Sequence, residues 1–166
     1  MRLCQFAAML CLAIPASARA EGCAIENSIY GDPDGAYILQ LSGSGTSDAE
    51  TNLKHRFTLS VKGTDLALVG EVRIPREISR TEGLITFQCP EAAEGNALAA
   101  CTIWEGTMFG ADDQGNIDLL PPEGGDHPLQ IILPGLGRAI RMSAVWGNGK
   151  ATVAPWDVFR FEACAK

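Results

Sequence analysis

Apolar and polar positions alternate with a period of two along much of the chain, the pattern of strands that bury one face. Residues 36–42 (AYILQLS) put Tyr37, Leu39 and Leu41 on one side. Residues 56–61 repeat this, with Phe57, Leu59 and Val61 inward and Thr58 and Ser60 outward. Lys62-Gly63-Thr64-Asp65 reads as a turn, and residues 66–74 return with Leu66, Leu68, Val72 and Ile74 alternating, the clearest hairpin in the sequence. Gly70 inside the returning strand marks a bulge or a close approach by another element. Further strands are expected at 84–89, 102–109, 117–120, 129–133, 139–146 and 158–164. Turn-forming runs at 31–35, 111–116 and 147–150 punctuate them.

Helical periodicity is scarce. Ser47-x-x-Glu50 has the form of a capping box opening a short turn through Leu53 and Lys54. Pro90 followed by Glu91-Ala92-Ala93 has the form of a second helix start, which Gly95 and Asn96 interrupt. The expected fold is all-β: an antiparallel sandwich or barrel of roughly eight strands, with at most one or two short helical turns.

The first twenty residues stand apart from this pattern. MRLCQFAAMLCLAIPASARA begins with a basic Arg2, continues in an apolar stretch from Leu3 to Ile14, and ends in Ala18-Arg19-Ala20. That small-x-small ending is what signal peptidase admits, and the apolar stretch is too short for a permanent membrane span. Residues 1–20 are therefore expected to be a signal peptide and 21–166 a single β domain, with no membrane anchor after cleavage. Neither Cys11 nor Cys23 has the Leu-x-small context of a lipoprotein anchor.

Composition narrows the function classes. With 46% apolar and 20% charged residues the chain is not disordered, and a net charge of −7 argues against a nucleic-acid partner. Loss of Arg2 and Arg19 on cleavage makes the mature chain more acidic still. An excess of Arg over Lys, with many Ala and Gly, points to a GC-rich bacterial source. Cys4 and Cys11 leave with the signal peptide, so Cys23, Cys89, Cys101 and Cys164 remain. An even count in an exported chain reads as two disulfides; no paired C-x₂₋₄-C spacing favours zinc. Four cysteines permit three pairings, and spacing does not choose among them. The pairing expected is Cys89–Cys101 with Cys23–Cys164, the second stapling one end of the domain to the other. In the chain-entropy model these are worth about 3 and about 4–5 kcal/mol.

Familiar catalytic motifs are missing. Asp112, Asp113, Asn116 and Asp118 resemble part of a calcium loop, but Gly110 and Pro121 fall where an EF-hand needs its first and last oxygen ligands. Asp32-Pro33-Asp34-Gly35 is a turn signal in its own right. His55 and His127 are the only histidines, and no Gly-x-Ser-x-Gly elbow accompanies them. Gly147 to Thr152 lacks the Ser/Thr and the helix of a phosphate loop, and Gly135-Leu136-Gly137 lacks the third glycine of a dinucleotide fingerprint. No cofactor is expected. Trp104, Trp146 and Trp156 lie in or beside predicted strands, where they fill a core or, with Arg138 and Arg141, line a groove facing a ligand. The Gly/Ser-rich run from Ser42 to Asp48 is long for a hairpin loop and would suit a binding edge.

The function expected is that of an exported bacterial binding or accessory domain without catalysis, periplasmic or secreted, whose partner is a protein or small ligand of the cell envelope. The alternatives are a small secreted hydrolase using an Asp/Glu pair, or a calcium-stabilised extracellular module. Two facing acids in one pocket would favour the hydrolase. Mass spectrometry of the protein isolated from its native host checks the first step: the mature N-terminus should be Glu21. An intact Met1 or a lipid-modified Cys23 would overturn the export reading.

Overall fold

A computed structural model describes residues 22–45, 53–74, 80–147 and 149–166. The expected signal peptide, the capping box at Ser47–Glu50 and Asn148 lie outside the described residues. A 3-10 turn at Ile25–Asn27 leads into β1 (Ser28–Gly31), whose four residues are too few to show alternation in the sequence. The Asp32-Pro33-Asp34-Gly35 turn joins it to β2 (Tyr37–Ser42): the Asp32 carboxylate accepts from the Tyr37 N–H at 2.8 Å, and Gly35 takes a left-handed φ of 65°. β3 (Leu53–Val61) and β4 (Ala67–Arg73) form the expected hairpin, and β5 (Glu82–Thr86) continues the meander. Then follow α1 (Gly95–Cys101), β6 (Thr102–Gly106), β7 (Phe109–Ala111), β8 (Ile117–Leu119), β9 (Gln130–Ile132), α2 (Leu136–Arg141) and β10 (Val158–Cys164).

All ten strands belong to one antiparallel sheet in the order β6-β5-β4-β3-β2-β1-β10-β9-β7-β8. Of the two architectures expected, the barrel-like one is correct, in the form of a curled half-barrel with ten strands. The cause lies between β6 and β7. The sequence reads 102–109 as one strand, but it breaks at Thr107 and Met108, and its halves join opposite ends of the strand order. A two-residue link between an edge strand and a strand next to the far edge demands that the sheet curl. Met108 is fully buried at the corner.

The inward face carries the alternating residues: Leu39, Leu41, Phe57, Leu59, Leu68 and Ile85, all at 2% exposure or less. A plug covers them. Leu136, Ile140 and Val145 are fully buried in the same cluster. Here the structure corrects the expected strand at 139–146, which is mostly helix and turn. Its apolar residues belong to an i, i+4 face, Leu136 with Ile140, and the Asp157 carboxylate accepts from the Gly135 and Gly137 N–H groups at 2.7 and 3.3 Å. That acceptor comes from twenty residues away, so no local pattern announces it. The helix expected to open at Pro90 opens instead at Gly95, after Ala92 and Gly95 take left-handed φ values of 51° and 52°.

Both expected disulfides form: Cys23–Cys164, with Cα atoms 6.0 Å apart, and Cys89–Cys101, at 5.3 Å. The first ties the start of the described chain to the end of β10, beside the Ser28–Cys164 pair of the β1–β10 ladder. Their presence is consistent with an oxidising compartment.

Of the two readings of Gly70, the close approach is right. It sits opposite Phe57 in the β3–β4 register, and a Cβ built there would run into the Phe57 ring. Gly70→Val should therefore destabilise the protein by about 1–3 kcal/mol, the usual cost of overpacking. Combining it with Phe57→Leu should recover part of the loss. Urea unfolding followed by circular dichroism gives both numbers; strictly additive losses would show that the two residues do not meet.

Candidate functional site

The sheet's outward face is where side chains remain unspent. Alternation along β4 and β5 sends Val69, Glu71 and Arg73, then Glu82, Leu84 and Thr86, away from the core. The register sets Arg73 opposite Glu82, Glu71 opposite Leu84, and Leu84 opposite Glu105 of β6. Beyond β5 the chain doubles back. Among the described residues Gln88 and Ala92 are the non-glycine residues with positive φ, 52° and 51°, and they bracket the turn that starts at Cys89 and Pro90. The Phe87 N–H then donates to the Cys101 carbonyl at 3.0 Å, and the Cys89–Cys101 bond closes the loop.

That closure lays α1 along the outward face. None of its residues is buried, so it is held by the disulfide and by its neighbours rather than by the core. Between α1 and the strands lies a cleft of about 460 Å³, lined by Arg73, Ile74, Glu82, Leu84, Leu98, Ala99 and Glu105 among others. A smaller hollow of about 290 Å³ adjoins it and shares Arg73, Leu84 and Leu98. The larger one lies within the size range of small-molecule sites. In the smaller hollow Glu71 is held between two arginines: Arg73 Nε donates to it at 2.8 Å, and Arg56 Nε lies 3.8 Å away.

The aromatic residues singled out in the sequence lie in different places. Trp104 points inward at 4% exposure, folded over the Gly83–Gly106 pair, and its indole N–H donates to the Pro134 carbonyl at 3.0 Å. Trp146 is half-buried, with the Arg141 guanidinium 5.5 Å from its ring centre. Trp156 is exposed and donates to the Asp34 carboxylate at 2.8 Å beside a shallow hollow. Arg138 lies exposed on α2. Of the Ser42–Asp48 run, Gly43 and Ser44 approach Glu123, whose carboxylate accepts the Ser44 N–H; residues 46–48 lie outside the described residues.

The acidic turns use their own oxygens. Asp112 accepts from the Gln114 and Asn116 N–H groups at 2.8 and 2.9 Å and from the Asn116 amide at 2.7 Å, bonds that hold its carboxyl below the usual carboxylate range. Among the described residues no group of three or more His, Cys, Asp or Glu is placed to hold a metal.

Among the described residues neither histidine is hydrogen-bonded to a nucleophile. His127 stacks on Phe161 with ring centres 3.7 Å apart. His55 points inward at 1% exposure; its Nε2 lies 2.7 Å from the Pro121 carbonyl, which requires that nitrogen to carry the proton, and Nδ1 has no hydrogen-bond partner.

The residues that line the cleft went unnoticed in the sequence. Arg73, Glu82 and Glu105 look there like ordinary outward positions of strands. The usable signal was the Cys89–Cys101 pair, which obliges the twelve-residue separation to fold back on β5. No protein-family model matches the chain, and no curated protein or solved structure is similar to it.

Burial holds the His55 pKa below its ordinary 6.5, against the opposing pull of the Pro121 carbonyl and the carboxylates of Glu123 and Glu26. The unfolded chain then binds the proton first, so stability is complete above about pH 6.5 and declines as pH falls toward the folded-state pKa. Thermal melts between pH 7.5 and 5 should show this decline, and His55→Gln should flatten it. A decline of equal steepness in the variant would assign it to other groups.

Proposed function

We propose that the chain is an exported binding domain without catalysis, working in the periplasm or outside a bacterial cell, and that its ligand occupies the cleft beneath α1. The observation that carries this reading is the cleft itself: apolar and charged side chains share a hollow whose floor is a sheet and whose wall is tied by a disulfide. Such a wall is preorganised, which lowers the ordering cost of binding. Export draws support from the signal-like residues 1–20 and from the two disulfides. The Cys23 sulfur is bonded to Cys164 and so is not free to carry a lipid. Among the described residues no helix is long and apolar enough to cross a membrane.

Glu82 and Glu105 both line the cleft, and this favours a hydrolase as the second reading. Their placement argues against it. Acid and base flank a scissile bond from opposite sides, whereas these two rise side by side from one face of the sheet.

Titration with Nile red, a neutral apolar dye, tests the cleft on the mature protein. Fluorescence should rise and saturate, and Ala99→Trp, which fills the hollow from an exposed helix position, should abolish the rise without lowering the melting temperature. Cys89→Ser with Cys101→Ser should also lose the dye while far-ultraviolet circular dichroism keeps its β signature. Unchanged dye binding in Ala99→Trp would remove the cleft from the proposal. Turnover of 4-nitrophenyl glycosides that vanishes in Glu82→Gln or Glu105→Gln would replace binding by hydrolysis.

A further inference from the structure

Among the described residues the charges that line this cleft do not cancel. Arg73 is, among the described residues, its only basic lining residue, and its guanidinium is engaged by Glu71, which lines the adjoining hollow, through Nε at 2.8 Å and through its terminal nitrogen. Although Arg73 faces Glu82 in the β4–β5 register, no ion pair joins them. Among the described residues neither the Glu82 nor the Glu105 carboxylate has a hydrogen-bond or ion-pair partner.

Register fixes the relation of the two acids. Leu84 lies directly opposite Glu105, and Glu82 is two residues from Leu84 on the same face. The acids are thus diagonal neighbours, about 7–8 Å apart at the backbone, with Leu84 beside both. Across the hollow, α1 contributes Leu98 and Ala99. Two unneutralised carboxylates at the rim and an apolar surface between them suit a molecule with a cationic head and an apolar stem. The stem leaves water against Leu84, Leu98 and Ala99, while the head stays hydrated beside the acids. Anions meet both carboxylates and a chain of net charge −7.

Resting on the binding reading above, we propose that the cleft takes a small organic cation, an ammonium or guanidinium group on an apolar stem. The acids supply selectivity for the head, and the disulfide-tied helix supplies the wall against which the stem packs.

Isothermal titration of the mature protein with n-octylammonium, 1-octanol and n-octanoate separates head from stem. Octylammonium should bind about tenfold more tightly than octanol, and octanoate more weakly than either. Raising the salt to 0.5 M should narrow the gap. Glu82→Gln with Glu105→Gln should bring octylammonium to the affinity of octanol, with circular dichroism confirming the fold and the single variants giving intermediate values. Equal affinity for the three probes, or an octylammonium preference that survives the double substitution, overturns the proposal. If Nile red still enters the wild-type cleft in that case, the binding reading stands and only the cationic class falls. If neither the dye nor any of the three probes binds, both fall together.

Discussion

Thr107 and Met108 connect the two ends of a ten-stranded strand order, and most of the architecture follows from that short link. β6 is an edge strand, while β7 lies next to the opposite edge. From Gly106 to Phe109 the extended chain reaches only about 10 Å, so the edges must approach each other and the sheet must curl. Curling turns the alternating apolar face into a concave interior. Such an interior is too wide for strand side chains alone, and α2 with the chain behind it fills the space. The polar tips of the inner aromatics then hold that plug in place: Tyr37 donates to the Val153 carbonyl at 2.6 Å and Trp104 to that of Pro134 at 3.0 Å. Burial desolvates the Tyr37 phenol and pushes its pKa up to about 12, so this donor keeps its proton across the physiological range.

Curling also has an outer consequence. The convex face of β4–β6 gains no layer from the core, and among the described residues the only element laid across it is α1, which buries none of its own residues. A helix of seven residues is marginal by itself. The Cys89–Cys101 bond substitutes for the missing apolar contacts by restricting the loop to positions near β5. The cleft is the space left where a covalent tether, rather than close packing, sets the distance between helix and sheet. The two disulfides therefore do different work. Cys23–Cys164 reinforces a ladder that backbone hydrogen bonds already form, whereas Cys89–Cys101 positions an element that little else holds.

This division bears on function. Catalysis by carboxylates or by a histidine needs groups that converge on one reacting atom in a site closed to water. Here His55 is enclosed behind the inward face, His127 lies under Phe161, and the two cleft acids share one side of an open surface. Recognition asks less: a stable floor, a wall, and charges left unmatched. Those are the features that the outward face of β4–β6 has.

Several levels of this structure were readable without coordinates. Alternation located β2, β3, β4, β8, β9 and β10 to within a few residues, because burying one face of a strand imposes period two on its own sequence. Gly70 announced its contact with Phe57 for the same reason: only a residue without Cβ leaves room for the ring. Compartment chemistry gave the cysteine count its meaning. What stayed hidden depended on partners far away in the chain. The helix at 136–141 is capped by Asp157, the strand at 102–109 breaks because one half forms an edge and the other lies next to the opposite edge, and Trp104 is buried because Gly83 and Gly106 make space for it. The cleft belongs to this second group. Each of its residues obeys a local rule for outward strand positions or a short helix, and only the folding back of 89–101 onto β4–β6 brings them together. A sequence records which face each residue prefers; which faces then meet is decided by chain connectivity and the sheet's curvature, and no single segment carries that information.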